Sequence, residues 1–169
     1  MKKIDLTPRE FAIRAHGKQK YGNHPYSVHL DHVQKILNQS AYASEQTLST
    51  AAWLHDVVED TEVSISEIAL NFGPEVADIV LRVTDEPGSS RKERKLKTYP
   101  KIKGHREATI VKLCDRIANV EASLGVSQKL HMYQSEYVEF RANLFVPELA
   151  NDLWLQLDSL LSPQRDPDV

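Results

Sequence analysis

Signals that begin α-helices recur along this chain and constrain its fold more than any other feature. The segment "TPRE" places Thr7 as a capping residue, Pro8 at the first helical position and Glu10 three residues after the cap. A serine followed by a glutamate three residues later recurs in "SISE", from Ser64, and in "SRKE", from Ser90. No segment alternates convincingly between apolar and polar residues, as a half-buried strand does. We therefore predict an all-α fold.

Apolar residues spaced at 3.6 positions, together with the caps, predict the extent of each helix. We expect helices from Pro8 to about His16, from Pro25, from about Glu45 to Asp60, from Ser64, from Pro74, from Ser90 to before Pro100, through a long stretch that ends at Gly125, and over about 128–145 and 147–161. Residues 1–161 are expected to form one compact domain. The segment "SPQRDPDV", residues 162–169, is expected to be a disordered tail.

Composition excludes several classes of protein. The 169 residues suffice for one domain with a hydrophobic core, and the net charge of −3 gives no overall bias toward nucleic acid or an acidic membrane. Cys114 is the single cysteine, so neither an intramolecular disulfide nor a cysteine-rich zinc module can form. No run approaches the roughly 18 apolar residues of a membrane span, and the N-terminus lacks the apolar core of a signal peptide. We expect a cytoplasmic protein that binds neither nucleic acid nor membrane.

The stretch "AAWLHDVVEDT", residues 51–61, places four ionisable groups in an apolar segment. On a continuous helix His55, Asp56, Glu59 and Asp60 would share one face. Carboxylates near the end of a helix face the negative end of its dipole and repel one another, so a cation is expected to compensate them. The alternative is that Glu59 and Asp60 are solvated surface acids that close a helix.

Two further residues have the chemistry to join this segment. His29 lies among apolar neighbours of the second predicted helix, and Asp115 lies within "IVKLCDRIANV". Separately, the histidine would be an ordinary core residue and the aspartate a partner of Arg116. Together with His55 and Asp56 they provide two imidazoles and two carboxylates. This donor set, without thiolates, suits Mn(II), Fe(II), Co(II), Ni(II) or Zn(II), and such an ion activates water by lowering its pKa.

The pattern of a histidine, a later adjacent His-Asp pair and a distant aspartate resembles the HD-domain metal-dependent phosphohydrolases. The blocks "AHGKQKYGNHPYSVH", "LHDVVEDT", "FGPEVADIVLRVTDE" and "VKLCDRIANV" resemble more closely the hydrolase domain of the RelA/SpoT group and its stand-alone small alarmone hydrolases, over about residues 10–125. The resemblance implies an HD-domain helical bundle that removes the 3′-pyrophosphate from ppGpp and pppGpp, usually with Mn(II).

The same resemblance implies the roles of individual residues. The metal would be held by His29, His55, Asp56 and Asp115. Glu59 and Asp60 would orient or deprotonate the attacking water, and Asn119 would line the nucleotide site.

Basic residues supply the expected contacts to an anionic substrate. The segment "SSRKERKLKTYPKIKGHR" concentrates lysines and arginines in an acidic chain, which indicates an anionic ligand, although a solvated helix face is the simpler alternative. We hypothesise that Lys97, with Arg94 or its neighbours, contacts the diphosphate. Lys20 or Tyr21 stands where the relatives carry an arginine against guanine, in a loop one residue shorter, so these two residues are the candidates for base recognition.

Two alternative functions stay open. The same metal site could hydrolyse another phosphorylated nucleotide or a nucleotide cofactor, such as a dNTP, a nucleoside monophosphate or NADPH. The chain could also be a non-catalytic regulator that binds a nucleotide. A leucine-rich last helix that includes Trp154 is expected in the core or at a subunit contact, and an exposed leucine stripe there would indicate a homodimer.

Overall fold

The computed structural model describes residues 3–162, and these residues are helical apart from one short hairpin and the connecting turns. The first helices are α1 (Pro8–His16), α2 (Ser27–Gln39), α3 (Gln46–Leu54), α4 (Val57–Asp60) and α5 (Ile65–Phe72). They are followed by α6 (Pro74–Val83), α7 (Arg91–Ile102), α8 (Arg106–Ser123), α9 (Ser127–Leu144) and α10 (Asn151–Leu161). The predicted all-α class is confirmed. The expected tail lies, apart from Ser162, outside the described residues.

The helix starts that depend on local caps were predicted correctly. Thr7 accepts from the backbone of Glu10, whose side chain accepts from the Thr7 backbone, and Ser64 and Glu67 form the same reciprocal pair at α5. Ser90 caps α7. These caps need only four consecutive residues, so the sequence is sufficient to identify them.

The predicted helix from Glu45 to Asp60 is wrong in its continuity, because the chain breaks between α3 and α4 at His55 and Asp56. The His55 Nδ1 atom lies 2.8 Å from the Ala52 carbonyl oxygen. In an unbroken helix that oxygen would accept from the Asp56 backbone N–H. A side chain therefore replaces a backbone donor at the break.

Two proline expectations also need correction. Pro25 does not open α2; it lies in a hairpin of strands β1 (Lys20–Tyr21) and β2 (His24–Pro25), in which Lys20 pairs with Pro25. The hairpin strands have two residues each and are too short to show alternation. Helix α7 does not stop before Pro100, because the buried side chains of Tyr99 and Ile102 hold its last turn in the core.

The last predicted helix starts too early. Glu148 and Ala150 have positive φ angles of 67° and 56°, so α10 begins only at Asn151. Its leucines do not form an exposed stripe: Leu155 is 68 % exposed, but Leu157 and Trp154 are buried. Among the described residues, no helix combines the length and the apolar character that crossing a membrane requires.

Helix α8 is the centre of the molecule. It packs against α2, α3, α6, α9 and α10, and residues 108–118 are all buried. The buried apolar side chains of the described residues join one core cluster around it. Several polar side chains of α8 are buried as well, among them Lys112, Asp115 and Arg116. Buried charges require partners, and these partners define the site.

Candidate active site

Four polar side chains from distant parts of the chain meet beside α8. His29 comes from α2, His55 and Asp56 from the break between α3 and α4, and Asp115 from α8. One ligand atom of each residue lies within 4.8 Å of the others. The two imidazole Nε2 atoms are 3.3 Å apart, and the His55 Nε2 lies 3.0 Å from Asp56 Oδ2. The structure thus brings together all four residues that the sequence assigned to a metal.

The charges in this cluster favour a cation. Burial lowers the pKa of His55, but the Asp56 and Asp115 carboxylates outweigh it and raise that pKa well above its ordinary value. Burial likewise raises the pKa of Asp56, but His55 and His29 hold it well below its usual range. The two carboxylates therefore stay ionised in a buried place and attract either protons to the imidazoles or a divalent ion. Two nitrogens and two oxygens without thiolate suit a borderline-to-hard divalent metal.

Neighbouring groups orient the donors. Because His55 Nδ1 donates to the Ala52 carbonyl at 2.8 Å, its Nε2 lone pair faces the other ligand atoms. The Tyr26 hydroxyl donates to Asp56 Oδ2. Burial and the nearby Asp56 carboxylate raise the pKa of Tyr26, so this hydroxyl keeps its proton.

A second set of contacts orients His29 and Asp115. The Tyr21 ring stacks on the His29 imidazole with centroids 4.8 Å apart, and its hydroxyl donates to Asn119 Oδ1 at 2.8 Å. Burial raises the pKa of Tyr21 to about 12. The Asn119 amide in turn donates to Asp115 Oδ1 at 2.5 Å. Tyr21 and Asn119, which we predicted to bind substrate, therefore contact and orient the donor cluster.

Glu59 and Asp60 line the same cavity, of about 230 Å³, as His29, Asp56 and Asp115. Glu59 Oε2 accepts from the Asp85 backbone N–H at 2.8 Å. Burial raises the pKa of Glu59, although the Lys112 ammonium opposes this. Two carboxylates one helical turn beyond the donor cluster are thus available to bind and deprotonate water.

The basic helix α7 turns a different face to the cavity from the one we expected. Arg94 and Lys97 do not line it; Lys97 Nζ lies 2.6 Å from Glu93 and is half exposed. Arg91 and Lys95, one turn apart on α7, line it instead. The composition identified the basic segment, but only the packing of α7 decides which of its faces is turned inward.

Lys112 and Arg116 also line the cavity, and sequence reasoning missed both as site residues. Lys112 Nζ lies 3.1 Å from Asp115 Oδ2, and burial of the ammonium is outweighed by Asp115 and Asp85, which raise its pKa. Arg116, considered above as the partner of Asp115, instead pairs with Glu136 at 2.8 Å. The signal was available: in "VKLCDR" a lysine precedes Asp115 by three residues, on the same face of a helix.

Two of the three remaining predicted contacts line an adjoining cavity of about 500 Å³. Tyr21 and Asn119 line it, and Asn119 and Tyr133 also line the first cavity, so the two spaces are neighbours. Lys20 is exposed and lines neither.

An all-α fold whose helices bring a histidine, a His-Asp pair and a distant aspartate into one cluster defines the HD-domain class. Residues 9–151 match the family described as HD domain, and the chain belongs to that family.

Two individual proteins of known name are similar to this chain in sequence. The chain is 37 % identical over 97 residues to guanosine-3′,5′-bis(diphosphate) 3′-pyrophosphohydrolase MESH1 of Drosophila melanogaster, a match that covers 57 % of this chain and 54 % of that protein. It is 34 % identical over 124 residues to the Homo sapiens protein of the same name, covering 68 % and 66 %. The aligned part thus spans from about half to about two thirds of the length of these relatives.

A solved structure resembles the whole fold. It is described as "A metazoan ortholog of SpoT hydrolyzes ppGpp and plays a role in starvation responses". The two structures superpose with a TM-score of 0.79 at 29 % identity, and the match covers 90 % of each chain.

Proposed function

We propose that this protein is a metal-dependent phosphohydrolase that removes the 3′-pyrophosphate from ppGpp and pppGpp. The observation that carries the proposal is that one cavity is lined by three of the four clustered donors, by the Glu59 and Asp60 carboxylates and by four cationic side chains. The curated relatives named above, which are 3′-pyrophosphohydrolases of this nucleotide, support the choice of substrate.

The metal would be held by His29, His55, Asp56 and Asp115. We propose Mn(II), which accepts mixed imidazole and carboxylate donors; Fe, Co, Ni and Zn are the alternatives. A divalent ion in this place lowers the pKa of water and offsets the negative charge of the phosphates.

Glu59 and Asp60 accept the proton of the attacking water. The raised pKa of Glu59 makes its carboxylate a stronger base than a glutamate at its ordinary pKa. The water oxygen forms a bond to the phosphorus that is attached to the ribose 3′ oxygen, and the bond between that phosphorus and the 3′ oxygen breaks. Pyrophosphate leaves, and the 3′ oxygen takes up a proton.

Four cationic side chains line the same cavity and would contact the substrate phosphates. They are Arg91, Lys95, Lys112 and Arg116. Burial and the neighbouring Lys112 ammonium lower the pKa of Lys95, although the Asp85 carboxylate, 2.8 Å from Lys95 Nζ, opposes this shift. A bound polyphosphate would reduce the repulsion between the Lys95 and Lys112 ammonium groups, and these two positive charges would in turn stabilise the polyphosphate.

The test is product analysis with purified protein, Mn(II) and ppGpp. We expect GDP and pyrophosphate, observed by anion-exchange chromatography and ³¹P NMR. The variants Glu59→Gln and Asp60→Asn should still bind the nucleotide but turn it over at least about tenfold more slowly. Absence of pyrophosphate release with Mn(II) present would exclude this substrate.

The same assay separates the alternatives. Faster hydrolysis of a dNTP, a nucleoside monophosphate or NADPH would reassign the substrate of the same site. A Glu59→Gln, Asp60→Asn double variant that binds nucleotide and acts as the wild type does would favour the non-catalytic regulator. The cytoplasmic location expected from the sequence stays a prediction that cell fractionation can test. The sequence left a homodimer open, and light scattering can decide between monomer and dimer.

A further inference from the structure

A short chain of hydrogen bonds reaches Asp60 from outside the donor cluster. Gln19 Nε2 lies 2.8 Å from Asp60 Oδ2, and Gln19 Oε1 lies 2.9 Å from His16 Nδ1. Neither His16 nor Gln19 lines the cavity with the metal donors. Both belong to the "AHGKQ" block, and the proposed reaction assigns them no role.

The chemistry of the groups sets the direction of these bonds. A carboxylate only accepts, so the Gln19 amide must turn its NH₂ toward Asp60 and its carbonyl oxygen toward His16. His16 Nδ1 must then donate. His16 Nε2 is buried and has no hydrogen-bond partner among residues 3–162, as expected for a ring that carries its proton on Nδ1. The histidine therefore prevents the amide from flipping.

Packing and backbone contacts hold in place the chain of hydrogen bonds from His16 through Gln19 to Asp60, which we call the relay. The His16 ring is buried and stacks on Tyr26, with centroids 4.2 Å apart and an angle of 26° between the rings. The Gln19 backbone N–H donates to the His16 carbonyl at 2.9 Å, and the Gln19 carbonyl accepts from the Tyr26 N–H at 3.1 Å. The contacts with His16 and Tyr26 thus fix the position of Gln19, whereas its partner Asp60 is exposed.

We infer that Gln19, oriented by His16, is a positioning residue for the Asp60 carboxylate. The amide engages Oδ2 and leaves Oδ1 to bind the attacking water. Without it, an exposed aspartate at the end of α4 would turn among its rotamers, and the water would lose its alignment. The inference rests on the proposed function, because it assigns Gln19 through the role of Asp60.

The first experiment replaces the amide with an apolar group of similar size. In Gln19→Leu we expect kcat for ppGpp hydrolysis to fall roughly 10- to 100-fold. The KM and the Mn(II) affinity, measured by calorimetry, should stay within about twofold, because Gln19 contacts neither the phosphates nor the metal donors. His16→Phe keeps the stack on Tyr26 but removes the donor, and should lower kcat by a smaller factor.

Gln156 provides a matched control. Its Nε2 atom donates to Glu121 Oε1 at 3.0 Å, so Gln156→Leu also removes a bond from glutamine to a carboxylate, away from the cavity. We expect its kcat to equal that of the wild type. A Gln19→Leu variant that folds and keeps the wild-type kcat would overturn the inference.

A double-mutant cycle distinguishes positioning from a general loss of structure. If Gln19 acts through Asp60, adding Gln19→Leu to Asp60→Asn should lower kcat no further. Losses that multiply would mean that Gln19 acts independently of Asp60, and the inference would be wrong.

A measurement without substrate separates this inference from the proposed function. In ¹⁵N-labelled protein the two side-chain amide protons of Gln19 should have well-separated chemical shifts, and Asp60→Ala or His16→Phe should reduce the separation. A Gln19 amide in the wild type that resembles a free glutamine would refute the relay. A wild type with a bound Gln19 amide but no activity on ppGpp would instead refute the proposed substrate and leave the relay established.

Discussion

At the scale of single residues, Asp115 illustrates how one buried carboxylate serves two functions. Its Oδ1 atom lies 3.4 Å from His29 Nε2 and accepts from Asn119, whereas Oδ2 lies 3.1 Å from Lys112 Nζ. Burial alone would raise the pKa of Asp115, but Lys112 and the two histidines hold it well below its ordinary value. The carboxylate therefore stays ionised with Lys112 at Oδ2, which leaves Oδ1 to the two histidines and to the proposed metal.

Removing the Lys112 ammonium should lower the stability of the fold. We expect Lys112→Met, in the presence of a chelator, to lower the free energy of unfolding by about 3 kcal/mol, because it leaves Asp115 buried with less compensation. Urea denaturation measures the change. The exposed Lys35 on α2 gives the control, since Lys35→Met should change stability by less than about 0.5 kcal/mol. Equal effects of the two substitutions would contradict the role of Lys112.

Glu136 should make stability depend on pH. Burial raises its pKa, but Arg91 and Arg116 outweigh burial and hold the pKa below the ordinary 4.5. As the pH falls through 4.5 and below, the unfolded chain takes up a proton before the folded protein does, so the folded state loses stability. The stability difference between wild type and Glu136→Gln should thus be largest near neutral pH and should shrink on acidification. A difference that does not change with pH, measured by denaturation at several pH values, would show that the ion pairs contribute nothing.

At the scale of helices and strands, the sequence predicted features that depend on neighbouring residues but not those that depend on tertiary packing. The cap at Thr7 depends on neighbours within three residues, and the sequence identified it. The break at His55 depends on a ring that is held in a buried cluster with His29 and Asp115, residues far away in the chain. The inward face of α7, with Arg91 rather than Lys97, depends on how that helix packs, and no property of the basic segment alone could reveal it.

The start of α7 is where we expect helix stability and substrate binding to be connected. Ser90 accepts from the Glu93 backbone N–H, and Arg91 is the first residue of the helix. Ser90→Ala should lower the free energy of unfolding by about 1 kcal/mol. It should also raise the KM for ppGpp, because Arg91 frays with the first turn, whereas Mn(II) affinity should not change. Ser90→Thr retains a capping oxygen and should behave like the wild type in the same kinetic and calorimetric measurements.

At the scale of the whole molecule, the packing of the helices brings together side chains that are far apart in the sequence. The four donors come from α2, from the break after α3 and from α8, and α8 packs on both α2 and α3. The sequence predicted which residues would meet, since each block carries its own histidine or aspartate. The spacing of Lys112 and Asp115 also indicated that these two side chains share a helix face, but the burial of Arg116 and its pairing with Glu136 depend on packing that the sequence does not reveal.

Metal binding should therefore stabilise the entire fold. At a Mn(II) concentration of 100 times Kd we expect a gain of about 2.7 kcal/mol in the free energy of unfolding. For a chain of this size that corresponds to a rise in Tm of roughly 5 to 10 °C, measurable by calorimetry and reversed by a chelator. Asp115→Asn removes one charged donor and should lose most of the rise. An equal rise in both proteins would mean that Mn(II) binds elsewhere.

The break between α3 and α4 has a consequence for how this sequence can evolve. His55 contributes one ring nitrogen to the donor cluster and the other to the backbone at Ala52, whereas His29 Nδ1 has no partner among residues 3–162. A substitution at position 29 would therefore remove one donor of the proposed metal site, whereas a substitution at position 55 would also remove the side-chain contact to the Ala52 carbonyl. In a related chain that no longer binds a metal here, we expect the histidine at 29 to be replaced first. The histidine at 55 should be retained longer, because its Nδ1 still donates to the Ala52 carbonyl oxygen at the break.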